Sequence, residues 1–370
     1  MKADIAIIGA GMAGASLAAE VGGRASVLLL EAEARPGYHS TGRSAAFWSE
    51  TYGGPKVQPL TSASGRFLAA PPPSFSERPF LSPRRALHLA DAKGRPALDA
   101  LCAEFSGGAV ALERLDRARL ETMIPGLRAG WDEGVLEGSC TDIDVGGLHA
   151  AYLKAARAQG VRLVTDARVA RAERRGTGWR LDSSAGSLEA DVIVNAAGAW
   201  ADEVATLVGA APLGIQPYRR TIVQLRTTPP APAEMPLVID ALGRFYFKPE
   251  AGRLWLSPHD ETPCVAADCG PEEIDVALAI DRFERVVDWK VERVEHSWAG
   301  LRSFAPDRLP VYGFDSDVPG FFWFAGQGGF GIQTAPAAAK LAAGLLLEVP
   351  ADPLVADIDP SPYLAGRFRN

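Results

Sequence analysis

Cysteine and histidine are scarce in this chain, four and five residues among 370. The cysteines Cys102, Cys140, Cys264 and Cys269 form no Cys-x-x-Cys pair, and no histidine stands beside another ligand type at zinc spacing. No metal site is therefore expected. Cys264 and Cys269 lie close enough in sequence to bridge a loop, but idle or buried thiols in a reducing cytoplasm are the simpler expectation. Positive charge is in deficit: 38 Lys and Arg against 45 Asp and Glu leave a net charge of −7. That balance argues against nucleic acid, which selects a basic face. No apolar run reaches the roughly 18 residues that would mark a membrane-spanning helix, so no integral membrane segment is expected. Internal repeats and low-complexity tracts are also missing. Lys2 and the apolar residues 5–19 have the outline of a weak secretory signal. Their regularly spaced glycines, and the strand that follows, fit a folded βαβ start better. A cytoplasmic location is expected.

What is present is an ordinary globular composition, 47% hydrophobic and 22% charged, in a chain long enough for two domains. Residues 4–9 (DIAIIG) read as a buried strand, 13–20 as an Ala-rich helix and 26–31 (SVLLLE) as a second buried strand. Between the first strand and the helix, Gly9, Gly11 and Gly14 form G-x-G-x-x-G. The first glycine permits the tight turn, the second lets backbone approach a pyrophosphate, and the third allows the helix to pack on the strand. A diphosphate would then sit at the helix N-terminus, where free N–H groups and the dipole favour negative charge. The second strand ends in Glu31, seventeen residues beyond Gly14, placed to accept hydrogen bonds from a ribose diol. An acid there points to FAD or NAD rather than NADP, and the turn alone does not choose between them.

Further on, residues 35–54 read mainly as loop, and Pro71–Pro73 and Pro79 mark a second break. A helix is expected at 148–159 and strands at 161–164 and 191–195. From 213 to 303 short strands (221–226, 245–249 and 254–258) surround one helix at 272–283, suggesting an antiparallel sheet. Residues 321–325 (FFWFA) lead into another glycine-rich turn and a long helix at 334–347. The last twenty residues are expected to lie over the surface. Nucleotide-fold segments at both ends and in the middle, with other material inserted, give a discontinuous α/β layout.

Four segments taken together resemble the D-amino acid oxidase superfamily of flavoproteins, with a particular likeness to the bacterial D-arginine dehydrogenase type. They are residues 37–54 (GYHSTGRSAAFWSETYGG), 195–200 (NAAGAW), 298–304 (WAGLRSF) and 327–334 (QGGFGIQT). The resemblance runs from about residue 4 to 347. It implies a discontinuous FAD-binding Rossmann-like domain (1–80, 141–212 and 303–370) and an antiparallel-sheet substrate-binding domain (81–140 and 213–302). It also implies FAD. Ser40, Thr41, Arg43, Ser44 and Ala45 would line the pyrophosphate and the isoalloxazine, with Arg43 and Ser44 as hydrogen-bond donors; Ala197, Gly198 and Trp200 would lie near the ribityl chain or ring, and Val169 would also bind the cofactor. Gly329, Gly331, Ile332 and Gln333 would close the other side. N–H donors and a helix N-terminus there would stabilise the negative charge of reduced flavin. No Cys or His occupies a place where relatives attach the cofactor, so noncovalent FAD is expected.

For the substrate, the resemblance implies Arg219, Tyr246 and Arg302 as carboxylate-binding residues and Tyr52 as a lid tyrosine, with Gly53 and Gly54 as its hinge. Arg220 adjoins Arg219, and the assignment can slip by one position. A guanidinium and a hydroxyl suit an amino-acid carboxylate, each charge-assisted hydrogen bond contributing roughly 1.5–3 kcal/mol in a dry pocket. Two departures bear on the side chain. Phe47 stands where the D-arginine type has a His, and Ala86 where it has a Glu that reaches a basic side chain. With Phe47, Trp48 and Ala86 in the pocket, a neutral or apolar substrate side chain, or none, is expected. The implied reaction is hydride transfer from the α-carbon to flavin, giving an imine that hydrolyses to a keto acid and ammonia, with oxygen, a quinone or another carrier as electron acceptor. His39 is expected to serve the FAD loop, and no catalytic base stands out. Open alternatives are a secondary amine such as sarcosine, a cyclic imino acid, a flavin-binding subunit without amine turnover, and an NAD-linked dehydrogenase.

Overall fold

The computed structural model describes residues 1–368. Continuous apolar runs build its first sheet, of eight strands. The strands Val27–Leu30 and Phe321–Ala325 are buried at every residue, as expected for parallel strands covered on both faces. From one edge the order is Arg162–Val164, Val27–Leu30, Lys2–Ile8, Gly186–Asn195 and Phe321–Ala325, all parallel. The strand Val311–Phe314 closes the other edge antiparallel. The long strand Gly186–Asn195 divides its outer edge: its end runs beside Phe321–Ala325, and its start carries the antiparallel hairpin Val169–Arg175 and Gly178–Ser183. On one face the helices Met12–Val21, Gln58–Ala69, Val145–Ala158 and Ala335–Leu347 share an apolar core with the sheet. The third of these is started by Asp144, whose carboxylate accepts from the Gly147 amide at 2.8 Å.

The second sheet has ten strands. Its longest pair, near one edge, is Gln216–Thr228 and Lys290–Phe304, antiparallel over thirteen register positions. Beyond it lie Arg253–Ser257, Tyr246–Glu250, Leu237–Asp240, Ala86–Asp91, Trp131–Glu137 and Leu112–Asp116. The sheet expected to be antiparallel contains one parallel pair, Leu237–Asp240 beside Ala86–Asp91. That pair brings an early segment of the chain into a sheet otherwise made of later ones. The helix Glu273–Glu284 packs on this sheet through Ala279 and Phe283. A three-stranded sheet joins Phe47–Trp48, inside the stretch read as loop, to Thr141–Ile143 and Leu81–Pro83.

Among the described residues all four cysteines are free, no cluster suited to a metal ion occurs, and no helix is long and apolar enough to cross a membrane.

Candidate active site

A cavity of about 510 Å³ runs from the glycine turn of the parallel sheet to the face of the ten-stranded sheet. At the first end it is lined by Gly9, Gly11, Met12 and Ala13. Gly9 has φ +101°, and a Cβ there would lie 2.4 Å from the Ala196 carbonyl oxygen. Gly14 lies outside the cavity. A Cβ on it would come within 1.8 Å of the Gly9 carbonyl oxygen, so the helix rests directly on the turn. Gly11 caps the helix with no side chain; in the lining turn the Gly9 amide donates to the Leu30 carbonyl at 2.7 Å and the Met12 amide to Thr41 Oγ1 at 3.0 Å. Glu31 is buried. Its two oxygens accept from the amides of Ala10 and Glu33, each at 3.0 Å, and retain lone pairs toward the cavity it lines.

Along the middle lie His39, Ser40, Thr41, Arg43, Ser44 and Ala45 on one side, and Val169, Ala197, Gly198 and Trp200 on the other. His39 packs at a tilt against Trp200 and pairs with Glu33 at 3.0 Å. Arg43 was expected to donate to the cofactor, but its guanidinium is spent on other partners. It pairs with Asp268 and donates to the carbonyls of Cys269 (3.0 Å) and Ala299 (3.2 Å). Gly329, Gly331, Ile332 and Gln333 line the cavity too. The Gln333 amide is turned to the Tyr52 loop, donating to Thr61 Oγ1 (2.9 Å) and to the Ser49 and Tyr52 carbonyls (3.2 Å each), while its oxygen accepts from the Ser49 amide at 3.1 Å.

The far end gathers Tyr52, Arg220, Tyr246, His259 and Arg302, with Phe47, Thr51, His88 and Ile239 beside them. The pairing register explains the choice of arginine. Arg220 lies opposite Gly300 and Tyr218 opposite Arg302, so Arg220, Tyr218 and Arg302 share one face of the sheet. Arg219 faces the other way, where it pairs with Glu272 and with Asp275 at 2.9 Å. The expected carboxylate ligand Arg219 is therefore replaced in the cavity by Arg220. The Arg220 guanidinium lies 5.7 Å above the Tyr246 ring, and Arg302 donates to Tyr52 Oη at 2.6 Å. Both arginines are buried, and the atoms Arg220 Nη2 and Arg302 Nε have no hydrogen-bond partner. Burial, and then the charge of Arg302, push the Arg220 pKa down, an electrostatic deficit that an anion would relieve. Glu261, at the surface, pairs with Arg302, takes Arg308 at 2.9 Å and stands 3.6 Å from Arg220.

Two expected pocket residues do not reach the cavity. Trp48 turns back and donates its indole N–H to the Thr61 carbonyl at 2.8 Å, its ring lying against Gly65. Ala86 is fully buried behind Phe47, Ile239 and Tyr246. The sequence reading missed Thr51, His88, Ile239 and His259. A signal existed for one of them: His88 is two residues from Ala86 on the same strand, so the two share a face.

The elongated cavity has a bare helix N-terminus and a buried acid at one end and cationic donors at the other, and its residues fit FAD with a small anion beyond it. A family model described as FAD dependent oxidoreductase matches residues 4–345. The chain belongs to this family. Its cofactor is FAD; residues of the glycine turn, Glu31 and the segments 39–46, 196–200 and 327–333 line the cavity that would hold it. The flavoenzyme is 27% identical to the hydrogen cyanide synthase subunit HcnC of Pseudomonas aeruginosa over 286 residues, covering 76% of this chain and 66% of that subunit. It is 29% identical to glycine oxidase of the same organism over 257 residues, covering 60% of this chain and 65% of that enzyme. The chain thus spans just under two thirds of either relative. Its fold matches the crystal structure of glycine oxidase from Geobacillus kaustophilus with a TM-score of 0.85, 24% identity and 98% of both chains covered.

Proposed function

We propose that this flavoenzyme oxidises the amine of a small amino acid with a neutral side chain, the D-enantiomer being the first candidate. The supporting observation is the pair of buried guanidiniums, Arg220 and Arg302, which line the cavity beside Tyr52 and Tyr246. Two guanidiniums and two phenols suit a carboxylate. Fixing that carboxylate fixes the direction of the α-carbon's C–H bond, which lowers the entropic part of the barrier. FAD, when bound, supplies the two-electron acceptor for the hydride. The resulting imine is hydrolysed to a keto acid and ammonia.

The carboxylates lining the cavity, Glu31, Glu33 and Glu203, belong to the glycine-turn end, and none lines the substrate end among the described residues. A basic side chain would find no lining carboxylate to pair with there, which favours a neutral one. In this reading the eight-stranded sheet and its helices carry the cofactor, the ten-stranded sheet carries the substrate, and the four free thiols suit the cytoplasm. The names of relatives, glycine oxidase among them, agree with amine oxidation.

The test is anaerobic bleaching of the visible flavin band by D- and L-amino acids, sarcosine and proline. Bleaching by neutral D-amino acids supports the proposal, and reoxidation in air then separates oxidase from dehydrogenase. Faster reduction by D-arginine than by neutral D-amino acids would sink the neutral-side-chain reading. Bleaching by sarcosine or proline alone would move the substrate to a secondary amine.

A further inference from the structure

Behind the substrate end of the cavity lies a buried carboxylate, Glu137, with no exposed surface. Its Oε1 accepts from the Glu50 amide at 2.6 Å, and its Oε2 from Ser49 Oγ at 2.8 Å and Thr51 Oγ1 at 2.6 Å. Burial raises its pKa, but His88 and the two hydroxyls outweigh burial and hold the carboxyl below its usual range, so it is ionised. An ionised carboxylate only accepts, so both hydroxyl protons are committed to it. Thr51 Oγ1 then has only lone pairs left for His88 Nε2, which stands 3.4 Å away and 4.0 Å from Glu137. Proton counting thus fixes Nε2 of His88 as the protonated nitrogen. The other nitrogen, Nδ1, has no hydrogen-bond partner within the described protein, and the ring lines the cavity.

The sheet places this ring beside the expected substrate side chain. His88 is in register with Ile239, and Ile239 with Tyr246, a row in which all three line the cavity. Tyr246 stands by the carboxylate-binding Arg220 at one end of the row, and His88 lies at the other. Phe47 and Ile239 make the rest of this wall apolar, so a polar group arriving here has His88 and Thr51 as its partners.

We propose that His88 reads the substrate's side chain, selecting a hydroxyl or a carboxamide over an apolar group of the same size. This rests on the amino-acid reading above. Neutral Nδ1 accepts from such a group and protonated Nδ1 donates to it, and a hydroxyl or carboxamide can do either. An apolar isostere leaves the nitrogen dry and unpaired, the asymmetry that makes hydrogen-bonding sites reject analogues strongly.

The experiment uses the holoenzyme and two readouts on the same isosteric pairs, threonine with valine and asparagine with leucine, in both enantiomers. Perturbation of the flavin spectrum gives Kd without turnover, and anaerobic bleaching gives the rate of reduction. Wild type is expected to favour the polar member of each pair by on the order of 10-fold or more in Kd. His88→Leu should erase or invert that ratio, and His88→Gln should restore part of it. Equal or apolar preference in wild type, or an unchanged ratio in His88→Leu with normal FAD content, would overturn the assignment of His88. Polar-selective binding without reduction would uphold the His88 assignment and sink the amine-oxidation reading, whereas reduction without polar preference would do the reverse.

Discussion

Arg219 and Arg220 are adjacent, chemically identical and opposed in role, because successive side chains of a strand point to opposite faces. The sequence pattern offered both and could not choose, since the choice depends on the register with Arg302 on a strand some eighty residues away. Arg220→Ala is expected to weaken carboxylate binding by roughly 10- to 100-fold, the value of one charge-assisted hydrogen bond or slightly more. Arg219→Ala should leave that affinity near wild type and lower stability instead, through Asp275 and Glu272. Ligand titration and thermal melts of the two variants separate these outcomes. His259 was illegible for a different reason: it has no motif, and its character comes from its surroundings. Its Nδ1 donates to the Gly243 carbonyl at 2.8 Å, and burial, then the charges of Arg220 and Arg302, push its pKa down to about 3. An unfolded histidine takes up its proton at a pH near 6.5. Between there and about pH 3 the unfolded chain binds the extra proton. The stability that His259 contributes is therefore whole above pH 6.5 and lost as pH falls through that window. His259→Asn, which tolerates the backbone φ of +58° at this position, should flatten the fall in Tm between pH 6.5 and 4.

At the scale of elements, the strand–glycine turn–helix unit was fully legible, since each glycine answers a local contact. Gly14→Ala drives a methyl group into the Gly9 carbonyl oxygen. Overpacking of this kind costs about 1–3 kcal/mol or more, and the variant is expected to purify with less FAD and a lower Tm. The Tyr52 loop was only half legible. Tyr52 itself was found, but the hinge expected at Gly53 and Gly54 stands beside a segment that is pinned rather than loose. Glu137 holds the residues from Ser49 to Thr51 from below, and Gln333 holds Ser49 and Tyr52 from the side. Neither partner is near the loop in sequence, which is why spacing could not reveal them. Glu137→Gln keeps the shape but turns an acceptor into a donor opposite three donors. It should cost about 2–3 kcal/mol in thermal stability and disturb Tyr52, seen as a raised Kd for carboxylates.

At the scale of the molecule, the two-sheet layout followed from where the nucleotide-fold segments recur. The long strand pair and the single parallel pairing in the second sheet did not, because long-range pairing leaves little local trace. The cofactor cavity is lined from segments as distant as Gly9 and Gln333, so FAD should act as a staple for the whole fold. FAD added to apoprotein at 100 times its Kd is expected to raise stability by about 2.7 kcal/mol, measurable as a concentration-dependent Tm. The carboxylate-binding end is also tied to the outside: the stretch that carries Glu261 and Asp268 is fastened by ion pairs to Arg302, Arg308 and Arg43. Such fastenings are loosened by dissolved salt. The salt content of the medium is therefore expected to act on Arg302 through its outer partner Glu261, checked by titrating a carboxylate at several ionic strengths.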